Sequence, residues 1–286
     1  MRITGAPRVL DLMDYASVLF DLDGTLVIGE SATPGARAFV SACRNTGASI
    51  GFVTNASMPT FQEIASLLAS KGFGGPGDVL VTAGVSLAAE VVRRGFQTVV
   101  CAGHPGLESA LYQAGLEVIP ADSAEARTMV VDPDRVALAL GLFPEELPRV
   151  RETIHELLLA GVTCFVPTME PHWPTPDGLK PGNGAVVADL RQGVDFTPVN
   201  CGKPSAVFSS ELRRLRELRE PLLVVGDTSS ADVALAIANG WHSLLLLTGS
   251  TRKDELESRA SHSSPATFVF NDLVEALAAA TASGPQ

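Results

Sequence analysis

The residues best suited to chemistry are Asp21-Leu22-Asp23-Gly24-Thr25, directly after the apolar run Ser17–Phe20. In an extended segment residues two apart point the same way, so the Asp21 and Asp23 carboxylates face one ligand. Gly24 permits a sharp turn and exposes backbone N–H groups that can bind an anion. A carboxylate is a nucleophile for phosphoryl transfer through an aspartyl-phosphate. A second carboxyl group beside it can protonate the leaving oxygen and then deprotonate the attacking water. At ~5% per residue type, the four fixed residues of this pattern arise by chance in about 0.002 of chains of this size. The bland alternative is an acidic turn that caps a strand.

Three further runs deliver polar residues at their ends: Ile50–Val53 before Thr54-Asn55, Val199–Cys201 before Gly202-Lys203, and Leu222–Val225 before Gly226-Asp227, with Asp232 five residues on. Singly, each reads equally well as a turn, a solvated helix start or an N-capped helix. Together, in one order, they read as one site. Asp21, Asp23, Asp227 and Asp232 place up to four negative charges around an anionic phosphate, and like charges in one site disfavour joint ionisation. Mg²⁺ suits such a set, as a hard cation bound by carboxylates, waters and a substrate phosphate oxygen. Lys203 is of a type that can add positive charge, and Thr54 and Asn55 of types that can donate hydrogen bonds to an anion. These groups stabilise charge that develops in the transition state.

The elements that must position these residues follow from the alternation of short apolar runs with amphipathic stretches, which predicts a parallel sheet with crossover helices. In such sheets ligands sit at the carboxyl ends of the strands. Between the runs Ile50–Val53 and Val199–Cys201 lie 145 residues, most of them with their own alternation, long enough for a separate domain. There Thr98–Ala102, Ala137–Leu142 and Val162–Val166 are expected as strands, and Glu108–Ala114 and Glu145–Ala160 as helices. The expected plan is a discontinuous core, 1–82 and 195–286, interrupted by a domain at 83–194.

Composition bounds the class. The chain has 286 residues, 46% hydrophobic and 19% charged, which argues against disorder and for about two domains. Its formal charge of −11 makes a nucleic-acid polymer an unfavourable partner. Cys43, Cys101, Cys164 and Cys201 form no CxxC pair and read as reduced intracellular thiols. No apolar run approaches the roughly 20 residues that span a bilayer, and the first twenty residues do not read as a signal peptide. A soluble, cytoplasmic protein without a membrane partner is expected, with TASGPQ as a frayed tail.

With these motifs assembled, the sequence resembles the haloacid dehalogenase superfamily. Its first motif is DxDGT, and Thr54 in FVTNAS, Lys203 in CGKPS, and Asp227 and Asp232 in GDTSSADV match the other three. Order and spacing are similar to the branch whose cap lies between motifs two and three (the C2 type, subtype A), that of the 4-nitrophenylphosphatase-like or NagD-like phosphatases. TPGARAF, PTPDGLKPGNGA and LLLTGSTRKDEL also look like that branch. The resemblance implies a Rossmann-like, doubly wound α/β core with an inserted α/β cap. It also implies a Mg²⁺-dependent phosphatase acting on a small phosphorylated metabolite, with Asp21 as nucleophile and Asp23 as general acid/base. Asp21, Asp227 and the Asp23 carbonyl would ligate the metal, and Asp232 would hold a water ligand or Lys203. Gly24, Thr54, Asn55 and Lys203 would bind phosphate. Relatives often form homodimers through the cap.

In that branch the cap selects the leaving group, which points to Thr168–Asp177 as the substrate-facing loop, with Thr168, Glu170, His172 and Trp173 as its candidate residues. This loop departs from the TNPD string usual in the branch. His172 and Trp173 can stack on a ring of the substrate; the reading preferred for Trp173 is that it packs the loop down, and His172 either lines the site or faces solvent. His104 and Gly103, after a cap strand, are a weaker second lining loop. Glu211–Glu220 (ELRRLRELRE) reads as a helix with an ordinary solvated face of Glu/Arg pairs. A phosphotransferase or phosphomutase would use the same catalytic residues, but mutases usually carry a smaller cap between motifs one and two. A dehalogenase would not need Asp23 as an acid/base. A catalytically silent binding module would be expected to lack one of Asp21, Asp23, Lys203 or Asp227, and all are present.

Overall fold

The computed structural model of the chain describes residues 9–175, 178–251 and 266–281. Of the segments singled out in the sequence, Pro176 and Asp177, Arg252–Leu256, the first eight residues and the last five lie outside the described residues. The chain divides into two compact units, one of residues 1–54, 65–81 and 209–286, the other of residues 55–64 and 82–208.

The chain begins with β1 (Ser17–Phe20), β2 (Val27–Ile28), β3 (Ser31–Ala32), α1 (Ala36–Asn45), β4 (Ser49–Thr54), α2 (Phe61–Ser70) and β5 (Val79–Thr82). It continues through α3 (Ala83–Arg93), β6 (Thr98–Gly103), α4 (Pro105–Gln113), β7 (Glu117–Pro120), α5 (Ala124–Thr128), β8 (Val136–Gly141) and α6 (Leu147–Leu159). Next come β9 (Thr163–Val166), β10 (His172–Thr175), β11 (Gly178–Pro181), α7 (Asn183–Leu190) and β12 (Val199–Asn200). The remaining elements are α8 (Ala206–Arg214), β13 (Leu222–Gly226), α9 (Ala234–Asn239), β14 (His242–Leu246), β15 (Phe268–Phe270) and α10 (Leu273–Thr281).

In the first unit a six-stranded sheet has the order β15-β14-β13-β1-β4-β5, with the five strands from β15 to β4 parallel. The chain winds outward from β1 through β4 to β5, then returns to β13 on the other side of β1. The order therefore reverses between β1 and β13, the crevice where ligands sit in open α/β sheets. All four residues of β1 are buried, as a strand covered on both faces requires. Phe20 anchors its carboxyl end, edge-to-face with Phe39 at 6.2 Å and 6.3 Å from Phe52. Phe39 comes from the apolar stripe of α1, whose buried residues Ala36, Phe39, Val40 and Cys43 follow the helical period.

In the second unit the parallel sheet has the order β12-β9-β8-β6-β7. Alternate residues of β8 enter opposite cores. Val136, Leu138 and Leu140 join Val150 and Ile154 of α6 and Val186 and Val187 of α7. Ala137 and Ala139 join Leu87 and Val91 of α3 and Leu107 and Leu111 of α4. A separate antiparallel hairpin pairs β10 with β11, His172 opposite Pro181 and Trp173 opposite Lys180. The segment expected as a substrate loop is therefore partly a hairpin.

Two expectations are corrected. Val199–Cys201 is not a strand of the Asp21 sheet: β12 pairs with β9, Val199 opposite Phe165 and Asn200 opposite Val166, and Cys201 is buried in the second unit's core. Residues 195–208 and 55–64 accordingly fall outside the unit that carries Asp21. The charged helix expected over Glu211–Glu220 stops at Arg214. Beyond it the chain turns so that Arg219 N–H donates to Ser17 Oγ at 2.7 Å. Its charges are shared out locally, with Arg214 on Glu211 and Arg213 on the Asn239 carboxamide and above the Trp241 ring.

The four cysteines are buried free thiols, and burial pushes Cys43 and Cys201 up to about 12. No helix among the described residues is long and apolar enough to cross a membrane.

At the amino end of β14, His242 Nδ1 lies 2.9 Å from Tyr15 Oη, with the rings edge-to-face. Burial raises the Tyr15 phenol and lowers the His242 imidazole, against which Asp14 pulls the imidazole upward. A group whose pKa is lowered by folding stabilises the fold above its unfolded value and loses that contribution as pH falls through the folded value. Between about pH 7 and about pH 5 the melting temperature of the wild type should therefore fall further than that of His242→Gln. Thermal melts across that range check this, and parallel losses in the two proteins would contradict it.

Candidate active site

Asp21 leaves the carboxyl end of β1 at the centre of the first unit's sheet, with Asp227 leaving β13 on one side and Thr54 ending β4 on the other. Asp21 N–H continues the ladder by donating to Val225 O at 2.9 Å. Asp21, Thr54, Asp227 and Asp232 are all buried, whereas Asp23 is exposed two residues beyond Asp21. One carboxylate oxygen from each of Asp21, Asp227 and Asp232 lies within 4.8 Å of the other two. That donor set, hard oxygens from three buried carboxylates, fits a divalent cation.

Local structure explains why these side chains converge. Gly24 has φ +85°, and the turn closes with Gly24 N–H donating to Val27 O at 2.7 Å and Leu26 N–H to Leu22 O at 2.9 Å. Thr33 Oγ1 holds the Thr25 carbonyl at 2.6 Å. After β13 the chain enters a π-helical turn, Ser229–Val233, which carries Asp232 back toward the strand end, and Thr228 N–H donates to Asp232 Oδ2 at 3.0 Å. Gly226 is required here, because a Cβ would overlap the Asp232 carboxylate. Asp227 accepts from Thr25 Oγ1 at 3.4 Å and from the Ser250 N–H. No sequence signal marks Ser250, which acts through its backbone N–H. Thr25 lies within the DxDGT motif, and Ser250 belongs to the turn that follows β14.

Asn55 and Lys203 belong to the second unit and are bound to each other there. Lys203 N–H donates to Asn55 Oδ1 at 2.7 Å, and Asn55 Nδ2 donates to Lys203 O at 3.2 Å. Lys203 is 3% exposed. The candidate specificity residues are also in this unit. Thr168 Oγ1 accepts from Glu170 N–H at 3.1 Å, and Asn183 Nδ2 donates to the Thr168 carbonyl at 2.9 Å. Trp173 stacks on Phe143 at 5.0 Å and 20° yet stays 37% exposed, and His172 beside it is exposed. The His104 ring lies 5.1 Å from that of Phe143, and its Nε2 is 3.2 Å from Glu146 Oε2. Phe143 carried no motif signal, because it lies far before Trp173 in the chain.

A parallel sheet with a switch point and a buried carboxylate trio at its strand ends defines a doubly wound α/β domain with an acidic centre suited to a cation. The chain belongs to the haloacid dehalogenase-like hydrolases, in their NagD-like branch. A haloacid dehalogenase-like hydrolase family model matches residues 18–117, and a second HAD-hydrolase-like model matches residues 200–276. The chain is 27% identical over 269 residues to an acid sugar phosphatase of Staphylococcus saprophyticus, covering 93% of this chain and 98% of that protein. It superposes on a 4-nitrophenylphosphatase of Thermotoga maritima with a TM-score of 0.75 and 26% identity, over 94% of this chain and 98% of that one. It also matches a glycerol phosphate phosphatase of Mycobacterium tuberculosis, solved in complex with magnesium, with a TM-score of 0.74 and 28% identity, over 94% and 78% of the two chains.

The Gly226 contact can be tested without any assay of activity. Gly226→Ala should destabilise the protein by about 1–3 kcal/mol, because the added methyl group must displace the Asp232 carboxylate from its slot. Urea unfolding of variant and wild type measures this, and a change below about 0.5 kcal/mol would contradict the crowding seen at that position.

Proposed function

We propose that this HAD-type phosphatase hydrolyses a small phosphomonoester through a phosphorylated Asp21, with Asp23 as the general acid and base. The convergence of Asp21, Asp227 and Asp232 within 4.8 Å at the sheet's switch point carries this reading. The site would hold Mg²⁺ on Asp21, Asp227 and the Asp23 carbonyl, with Asp232 beside them to hold a water ligand of the ion. When bound, the ion supplies positive charge that keeps the carboxylates ionised and offsets charge on the phosphoryl group.

The chain's own residues then perform two displacements. Asp21 attacks phosphorus, forming an acyl phosphate as the bond to the leaving oxygen breaks, and Asp23 gives that oxygen its proton. Asp23, now ionised, takes a proton from water as the water oxygen attacks phosphorus. Inorganic phosphate leaves and the Asp21 carboxylate is restored. The different exposure of the two residues supports these roles: Asp21 is buried, as a nucleophile shielded from competing water, and Asp23 is exposed, where it can exchange protons. Thr54, the Gly24 turn, Asn55 and Lys203 would bind the phosphoryl oxygens. Within the second unit Asn55 holds Lys203 by two hydrogen bonds, which supports a common role for those two.

The similar proteins are named as an acid sugar phosphatase, a glycerol phosphate phosphatase and a 4-nitrophenylphosphatase, which favours a sugar or polyol phosphate as substrate. Thr168, Glu170, His172 and Trp173 would select among such esters. The exposed Trp173 ring, braced by Phe143, supports a contact with an apolar face of the leaving group.

Release of inorganic phosphate from a panel of esters tests this reading. Asp21→Asn should lower the rate more than about a thousandfold for every ester. Asp23→Asn should cost about 10²–10⁴ on glycerol phosphate, and less on 4-nitrophenyl phosphate, whose phenolate departs without a proton. Removing divalent metal should abolish turnover. Hydrolysis that survives Asp21→Asn or chelation would refute the mechanism.

A further inference from the structure

We propose that the turn Thr248–Thr251, after β14, is a positioning strap that sets the affinity of the acidic centre for its divalent cation, with Thr248 and Gly249 as positioning residues. The inference rests on the phosphatase reading above and concerns residues to which that reading gives no role. Four consecutive residues reach each of the three chain segments that carry the converging carboxylates. Thr248 Oγ1 donates to the Gly24 carbonyl at 2.5 Å, in the turn that follows Asp21. Ser250 N–H donates to Asp227 Oδ2, and Thr251 N–H donates to the Asp227 carbonyl at 3.1 Å. Thr251, itself buried, accepts from Ser229 N–H at 2.9 Å through Oγ1, at the start of the π-helical turn that bears Asp232.

Two glycines complete the strap. A Cβ on Gly249 would overlap the Asp227 carboxylate, lying 2.6 Å from its Cγ. A Cβ on Gly24 would lie 2.7 Å from Asp227 Oδ2 and 2.8 Å from Cγ. The Asp227 carboxylate thus sits in a slot walled by two backbones and is oriented by one N–H from the strap. Thr248 fixes the distance between those walls, since its hydroxyl bonds the strap to the carbonyl of the opposite glycine. The physical consequence is preorganisation. Three carboxylates so close repel one another, and side chains free to swing apart would have to be gathered again when a cation binds. Groups that orient ligating carboxylates contribute to metal affinity without touching the metal.

The test compares Thr248→Val, which removes the hydroxyl at constant shape, Thr248→Ser, which restores it, and Gly249→Ala, with Mg²⁺ binding measured by calorimetry on the full chain. Thr248→Val should bind Mg²⁺ about tenfold to hundredfold more weakly than wild type, and Thr248→Ser should recover most of the loss. With 4-nitrophenyl phosphate, the Thr248→Val rate should be recovered by added Mg²⁺, which a general loss of folded protein would not allow. Gly249→Ala should show the same defect more strongly; if it does not fold, the Thr248 pair still decides. Wild type that binds Mg²⁺ and turns over, alongside a Thr248→Val variant of unchanged Mg²⁺ affinity, overturns the strap alone. Wild type that binds no Mg²⁺ overturns the metal-dependent reading and the strap with it.

Discussion

The first unit is built around one electrostatic constraint: three carboxylates held within 4.8 Å of one another in a buried place. At that spacing, and an effective dielectric of about 20, each ionised pair repels by about 3 kcal/mol. Such a cluster persists only if the chain fixes its members and a cation or protons compensate them. The surrounding structure supplies the fixing. Parallel strands bring Asp21 and Asp227 to neighbouring ends, Phe20 locks β1 into the core beneath Asp21, and the π-helical turn returns Asp232 to the same place. Donors from Thr25, Thr228 and Ser250 orient the Asp227 and Asp232 oxygens, and hydrogen bonds to charged groups are among the stronger ones. Gly24 and Gly249 close on the Asp227 carboxylate and Gly226 on that of Asp232, so closely that a Cβ at any of the three would clash.

The second unit answers a different requirement. Its sheet is covered on both faces, as the alternation of β8 side chains between two cores shows, so it is a folded body in its own right. On it the hairpin β10–β11 presents Trp173 partly exposed, backed by Phe143, while Asn55 grips Lys203. This division places the acidic centre on one unit and the hairpin with its exposed Trp173 on the other.

Much of this was legible in the sequence wherever the signal is local. Apolar runs of four to six residues ending in Asp21, Thr54 and Asp227 are strands because a strand buried on both faces must be continuously apolar, and the polar residue marks where it emerges. Their motif order pointed to the family. What escaped was non-local. A two-residue strand such as Val199–Asn200 has no period, so its sheet is decided only by its pairing with β9. The Glu/Arg spacing after Glu211 continues past the helix end at Arg214, where a long-range bond from Arg219 N–H to Ser17 Oγ, not the charge pattern, holds the chain. The grip of Thr248 on Gly24 joins residues more than two hundred positions apart, and Ser250 holds Asp227 through a backbone N–H, which no residue type announces.

The central claim is that Asp21, the buried carboxylate at the switch point, carries the phosphoryl group. The most direct measurement is rapid acid quenching of the wild type with 4-nitrophenyl phosphate and Mg²⁺, followed by peptide mass spectrometry. The account predicts one phosphoryl group on the peptide containing Asp21, appearing no more slowly than turnover and missing in Asp21→Asn. Turnover with no phosphorylated peptide, or with the group on another residue, would contradict it.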